Sequence, residues 1–262
     1  MIWLYNIPSW LLATLFVGLA TGLSWFSLLL IRRPLQRSSV AALIDNGTVG
    51  WFFSGVAILY GLLLGLLTVA TWQNFTQASS LASHEAAQLA VLYRDLSGYP
   101  PSQRQPLQQQ LRRYTRHIVE RSWPQQRQGH IDDTESAEFL GLQKLLLGYG
   151  PDTVAHQLIH QQALEAFNEL AETRRLRAEA IDGGVPAVIW WVVLVGALVM
   201  LIFSGLFVMP SFWFHGLLSS LLGVMLGLLV FLIVALDHPY WGEVSVGTKA
   251  YELVLDKVMI VP

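Results

Sequence analysis

The chain has 262 residues, 53% of them hydrophobic and only 13% charged, with a formal net charge of −2. Soluble domains carry about 25% charged residues, so much of this chain is not made to face water, and its charge balance excludes a nucleic-acid binder that works through clustered Lys and Arg on phosphates. There is no cysteine, which excludes disulfides, thiolate nucleophiles and cysteine-ligated zinc.

Four apolar stretches hold no Asp, Glu, Lys or Arg: residues 11–31, which end at Arg32 and Arg33; residues 50–71; residues 187–209, which follow the breaker Gly183-Gly184-Val185-Pro186; and residues 212–236, which stop at Asp237. At 1.5 Å per residue each covers a hydrocarbon core of about 30 Å. Large apolar side chains each favour insertion by a few tenths of a kcal/mol, and one central charge would cost about 3 kcal/mol; with no charge present, insertion wins in every case. The expected fold is therefore all-α, an integral membrane protein with two transmembrane helix pairs, 1–72 and 185–237, a soluble helical stalk domain inserted at 73–184, and a tail at 238–262. Nothing basic precedes Leu11 and its apolar run exceeds the 7–15 residues of a signal peptide, so the first span is expected to stay in the mature protein.

Trp10, Trp51, Trp72, Trp190, Trp191 and Trp213 lie near the span ends, where an indole gains most at headgroup level. Gly18-x-x-x-Gly22, Gly61-x-x-x-Gly65 and Gly223-x-x-x-Gly227 put small residues one turn apart on three spans, a spacing that lets helix backbones approach closely.

Residues 73–184 are rich in Gln, Arg, Glu and Ala. Leu89, Leu92, Tyr93 and Leu96 form one helical stripe, and Leu107, Leu111, Tyr114 and Ile118 another, with Pro100-Pro101 between them. A short apolar helix is expected over 139–147. Gly150-Pro151-Asp152 then opens a long helix to about Ile181, with Pro151 in its first turn. No breaker lies between Thr71 and Ser97, so the second span is expected to continue into this domain as one rod.

Chemistry-bearing groups are few. His156 and His160 share a helical face at zinc-ligand spacing, but the neighbouring Gln residues describe a solvated face, and no metal is assigned. His84-Glu85 reads as a local polar contact. There is no phosphate-cradling loop, nucleophile elbow or acidic metal run, so no catalytic residue and no cofactor is expected. Spans without charge argue against a proton-coupled pump, whereas a passive pore gates and selects with apolar or hydroxyl rings. The hydroxyls Thr14, Thr21, Ser24, Ser54, Thr68, Ser219 and Ser220 are available, most of them expected to bond back to helix carbonyls. Arg174, Arg175 and Arg177 are candidates to attract anions or lipid phosphates, against the plainer role of a solvated helix end.

The run Leu236-Asp237-His238-Pro239-Tyr240-Trp241-Gly242-Glu243 is the most motif-like in the chain. With Arg32-Arg33, the glycine-rich second span, His84-Glu85-Ala86-Ala87 and Leu92-Tyr93-Arg94, it resembles the bestrophin-like family of bacterial membrane proteins over nearly the full length. The resemblance implies a multi-pass protein of the cell (inner) membrane, in contact with the lipid bilayer. Bestrophins are homo-oligomeric, pentameric chloride and bicarbonate channels, with two spans, a helical domain and two more spans. Their fourth span leads to an Asn-Pro-Phe-Gly element and an acidic calcium clasp. Asp237, Pro239, Tyr240 and Gly242 resemble the first part, while only Glu243 stands for the acidic run. The bestrophin pore neck lies on the second span, where Trp51, Phe53, Tyr60 and Thr68 are the candidate pore-lining residues. The implied function is a homo-oligomeric channel for chloride or other anions, with no nucleic-acid partner; the alternative is a membrane-anchored sensor or scaffold whose helical domain binds a ligand or partner. Arg32, Arg33 and Arg37 in the short loop after the first span favour that loop inside, which puts residues 73–184 outside the cytoplasm, opposite to bestrophins.

Overall fold

The computed structural model describes residues 2–37, 44–130, 133–181 and 183–260. Among them there is no strand. The helices are α1 (Ser9–Arg37), α2 (Asn46–Asp95), α3 (Pro101–His117), α4 (Trp123–Gln126), α5 (Asp133–Leu147), α6 (Val154–Ile181), α7 (Ala187–Gly205), α8 (Phe212–Asp237) and α9 (Lys249–Lys257), with a 3₁₀ turn at Ile2–Asn6, another at Leu96–Gly98 and a π turn at Ile118–Ser122. Among the described residues four helices are long and apolar enough to cross a membrane: Ser9–Arg32, the helix that begins at Asn46, Ala187–Gly205 and Phe212–Asp237. The helix from Asn46 runs unbroken for 50 residues. The chain divides into two compact units, one of residues 7–73 and 184–237, the other of residues 1–6, 74–183 and 238–262.

In the first unit α1 packs most extensively on α8 and also on α7. The α1–α8 approach is close because Gly223 and Gly227 lie against backbone: a Cβ at either would meet the Cα of Thr21 at 2.8 Å or of Val17 at 2.7 Å. Lipid gives helices no hydrophobic reason to associate, so the contact rests on this fit and on interhelical hydrogen bonds. Ser24 Oγ donates to the Ser219 carbonyl at 2.7 Å, Ser27 Oγ to the Leu201 carbonyl at 3.0 Å, and Trp25 Nε1 to Ser220 Oγ at 2.8 Å. Thr14 and Thr68 bond back to Leu11 and Leu64 in their own helices, as expected, but Ser24 bonds across to a neighbouring helix. Asn46 holds the α7–α8 connection from both sides: its Oδ1 accepts from Val208 N at 2.9 Å and its Nδ2 donates to Val208 O at 2.7 Å. Trp10, Trp51, Trp72, Trp191 and Trp213 are exposed, as indoles at a lipid headgroup layer would be.

The second unit has a conventional apolar core. Leu89 and Leu92 of α2, with Leu96 of the turn that follows it, meet Leu107, Leu111 and Tyr114 of α3, Leu142 and Leu146 of α5, and Phe167 and Leu170 of α6. Each fully buried Leu stabilises the fold by about 1.5–3 kcal/mol. Pro101 starts α3 at its first helical position, where its missing N–H costs nothing. The long helix α6 starts later than Pro151: Thr153 is its cap, with Oγ1 accepting from His156 N at 3.2 Å.

Candidate functional site

The expected pore helix is the apolar part of α2. One face is used inside its own unit: Tyr60, Leu64, Leu67 and Thr71, spaced 4, 3 and 4, are buried. Tyr60 Oη donates to the Val193 carbonyl of α7 at 2.8 Å, and Gly196 lies under its ring, where any Cβ would overlap it. Phe53 packs on Phe203 and Phe207, with ring centroids 6.5 and 5.7 Å away. These two candidate pore residues are therefore committed to α7 of the same chain, because their rings fill the groove between the two helices. Thr68 is half-buried and bonds to the Leu64 carbonyl at 2.8 Å. Trp51 alone among the four stands free, at 83% exposure.

The opposite face of α2 is uncovered. Ile58, Leu62, Leu66 and Val69, spaced 4, 4 and 3, form one exposed apolar row, and a Cβ at Gly61 or Gly65 would meet nothing within 4 Å. Choosing aromatics by type, not by face, misses this row; the two glycines beside it are the sequence signal that marks it. Gly18 and Gly22 of α1 are equally open, so of the three glycine pairs only Gly223 and Gly227 pack against another described part of the chain.

The run after the fourth span is closely held. Asp237 Oδ1 accepts from Val185 N at 2.6 Å, tying the end of α8 to the start of α7. Past that point Tyr240 is fully buried, its hydroxyl donating to the Ala78 carbonyl at 2.9 Å and its ring 5.7 Å from Trp123. Burial pushes the Tyr240 hydroxyl pKa up, and the Glu85 charge adds to this while Arg177 opposes it. The Pro239 carbonyl accepts from Val246 N at 2.9 Å. Gly242 has φ +76°, and its N–H and C=O pair with the Arg127 backbone carbonyl at 2.9 Å and with Arg127 Nε at 3.1 Å. A Cβ there would also press on the Tyr5 carbonyl, 2.9 Å away. Glu243 is exposed. Among the described residues no group of three or more His, Asp or Glu side chains is placed to hold a metal ion.

The arginine cluster corrects the sequence reading most. Arg177 is 1% exposed and lies in a buried ion cluster. Its Nε pairs with Glu85, its Nη2 donates to Glu135 at 2.6 Å, and its guanidinium lies 5.5 Å over the Trp123 ring. Tyr251 and Tyr114 donate to the same Glu85 carboxylate at 2.9 and 3.3 Å. Burial works against the Arg177 charge, but Glu85 and Glu135 outweigh it and hold its pKa well above the ordinary value. Arg174 sits 3.3 Å from Glu135, and Arg175 is exposed between Glu172 and Glu179 at 2.8 and 2.5 Å. All three guanidinium groups face carboxylates of their own chain, so they are poor attractors of a free anion. Glu85, expected to make a local contact with His84, instead pairs 92 residues away. His156 bonds to Asp152 and His160 to Tyr99, each at 2.6 Å.

Residues 14–251 match the Bestrophin-like domain. No curated protein sequence matches the chain. Solved structures of a bacterial bestrophin homologue from Klebsiella pneumoniae share the fold. A point mutant of that protein superposes with a TM-score of 0.65 at 14% identity, covering 94% of this chain and 97% of its own. A structure of the homologue phased on zinc gives 0.61 at 15% identity, covering 95% and 99%.

Proposed function

We propose, from the premise that the chain belongs to the bestrophin-like family, that identical copies assemble around an axis to form a channel for chloride or other small anions. The observation that carries this reading is the uncovered row Ile58, Leu62, Leu66 and Val69 on α2, beside the open Gly61 and Gly65. An apolar row in a charge-free span suits a constriction that gates by dewetting, and small residues suit close approach of a helix from another copy. Anion preference is supported by the spans themselves. Cation channels select with rings of Asp or Glu, and residues 11–31, 50–71, 187–209 and 212–236 contain neither.

Purified protein in planar bilayers is expected to pass current that reverses near the chloride potential in a salt gradient. Ile58→Glu is expected to move the reversal potential towards that of the cation. Silent bilayers from protein shown to be folded and oligomeric would end the proposal. The membrane is the cell membrane, and the charges of Arg32, Arg33 and Arg37 favour the extracytoplasmic side for residues 73–184. The chain has no cysteine, so a single cysteine placed at Ser102 reports the side directly: labelling of intact cells by a membrane-impermeant maleimide is expected, and labelling only after lysis reverses the orientation.

A further inference from the structure

Within the unit of residues 7–73 and 184–237, a cavity of about 320 Å³ opens where α7 turns into α8. Phe53, Phe207, Leu218 and Leu222 give it apolar walls, and among the described residues no charged side chain lines it. Three polar residues do: Ser204, whose hydroxyl donates to the Leu201 carbonyl at 2.8 Å, His215 and Ser219. Ser219 is 2% exposed, and its hydroxyl has no hydrogen-bond partner. A buried hydroxyl left in that state is costly, so it calls for an explanation. His215 is equally buried, and its Nε2 lies 2.8 Å from the Ser204 carbonyl. A carbonyl only accepts, so Nε2 carries the proton, and in the neutral ring Nδ1 is left as an acceptor. The Ser219 backbone carbonyl is already engaged by Ser24, which leaves the side-chain hydroxyl as the free group.

We infer that this cavity is a binding site for an uncharged single-chain amphiphile with a hydroxyl head, seated with its hydroxyl at Ser219 and His215 and its chain against Phe53, Phe207, Leu218 and Leu222. The volume falls at the lower end of the ~300–1,000 Å³ typical of small-molecule pockets, and the plan of apolar walls with a few placed polar groups is theirs too. A charged ligand is disfavoured because no described residue puts a counter-charge on the walls and a charge loses its hydration there. The occupant comes from the bilayer phase, since every wall belongs to α2, α7, α8 or the α7–α8 connection, the segments read as membrane-embedded. The inference is independent of the channel reading: an anion pore with this cavity empty, or a silent protein with it filled, are both conceivable results.

The test uses full-length protein in nanodiscs and an octanol that carries a photoactivated diazirine, with adducts mapped by mass spectrometry. Adducts are expected on Phe53 and on the peptide that holds His215 to Leu222, competed by tenfold excess 1-octanol and not by octane. Ser219→Ala, which removes a hydroxyl without a partner and so leaves the fold intact, is expected to lower labelling about fivefold, the worth of one hydrogen bond. Leu222→Trp, which fills the space, is expected to abolish it. Competition by monoolein as well as octanol identifies a membrane lipid as the source, and competition by octanol alone identifies a free alcohol; either supports the site. Adducts only elsewhere on the protein, competition by octane equal to octanol, or unchanged labelling in Ser219→Ala would overturn it. So would labelling seen only after the oligomer is dissociated, since a second copy would then be the occupant.

Discussion

Tyr60 donates its hydroxyl to the Val193 carbonyl at 2.8 Å, 133 residues further along the chain. Gly196, three residues beyond Val193, leaves the space in which the ring lies. Two consequences can be measured. Gly196→Leu is expected to destabilise the α2–α7 contact by about 1–3 kcal/mol through overpacking. Tyr60→Phe is expected to cost about 0.6 kcal/mol, the average for an interhelical hydrogen bond in a membrane. Thermal unfolding in detergent ranks the two, and equal effects would contradict the packing.

Arg177 and Arg175 are expected to behave in opposite ways. Arg177→Met leaves Glu85 and Glu135 buried with Arg174 alone against them, and removing one partner of a buried ion pair costs about 3–5 kcal/mol. Arg175 pairs at the surface, so Arg175→Ala is expected to stay within about 0.5 kcal/mol of the parent. Thermal unfolding of the two variants side by side is the check.

Sequence reading and structure agree where hydrophobic periodicity is strong. The four spans follow from charge-free apolar length, the unbroken α2 from the lack of a breaker, and the stripe Leu107, Leu111, Tyr114 and Ile118 from spacing. Partners far apart in the chain are harder to see, yet a trace of the ion cluster was present. Ala78, Ala82, Glu85, Leu89, Leu92 and Leu96 form one seam spaced 4, 3, 4, 3 and 4, and a carboxylate inside such a seam needs a buried cation. Arg177 sits in the matching seam between Leu170 and Ile181. Their pairing could not be read, because a seam names its members and not what they face. The same limit applies to Tyr60 and Phe53, whose aromatic character says nothing about which side of α2 meets α7.

Acid is expected to weaken the helical unit through His160. Burial lowers the His160 pKa, and Tyr99 lies 2.6 Å from its Nδ1. The unfolded chain takes up a proton near the ordinary value of about 6.5, and the folded one only at lower pH. Stability contributed by the neutral ring is therefore whole above that value and is lost as pH falls from it to the depressed native pKa. The melting temperature is expected to drop between pH 7 and pH 5, and His160→Asn is expected to show a smaller drop.

Gly242→Ala tests the loop after the fourth span. A left-handed φ of +76° costs a residue with a Cβ about 1–2 kcal/mol, and the Tyr5 carbonyl adds a steric term. The melting temperature of Gly242→Ala is expected to fall, while that of Gly247→Ala, where a Cβ meets nothing within 4 Å, is expected to hold.

The seat of Gly223 and Gly227 on Thr21 and Val17 has a consequence for biogenesis. These surfaces are about 200 residues apart in the chain, and at ~5–20 residues per second a ribosome needs roughly 10–40 s to supply the second after the first. Through that interval α1 waits in the bilayer without the helix it packs on most, its Ser24 hydroxyl lacking the Ser219 carbonyl it later meets. Folding of the span bundle is therefore an event of late translation, and a nascent chain arrested before α8 should hold α1 loosely enough for membrane proteases or insertion chaperones to reach it.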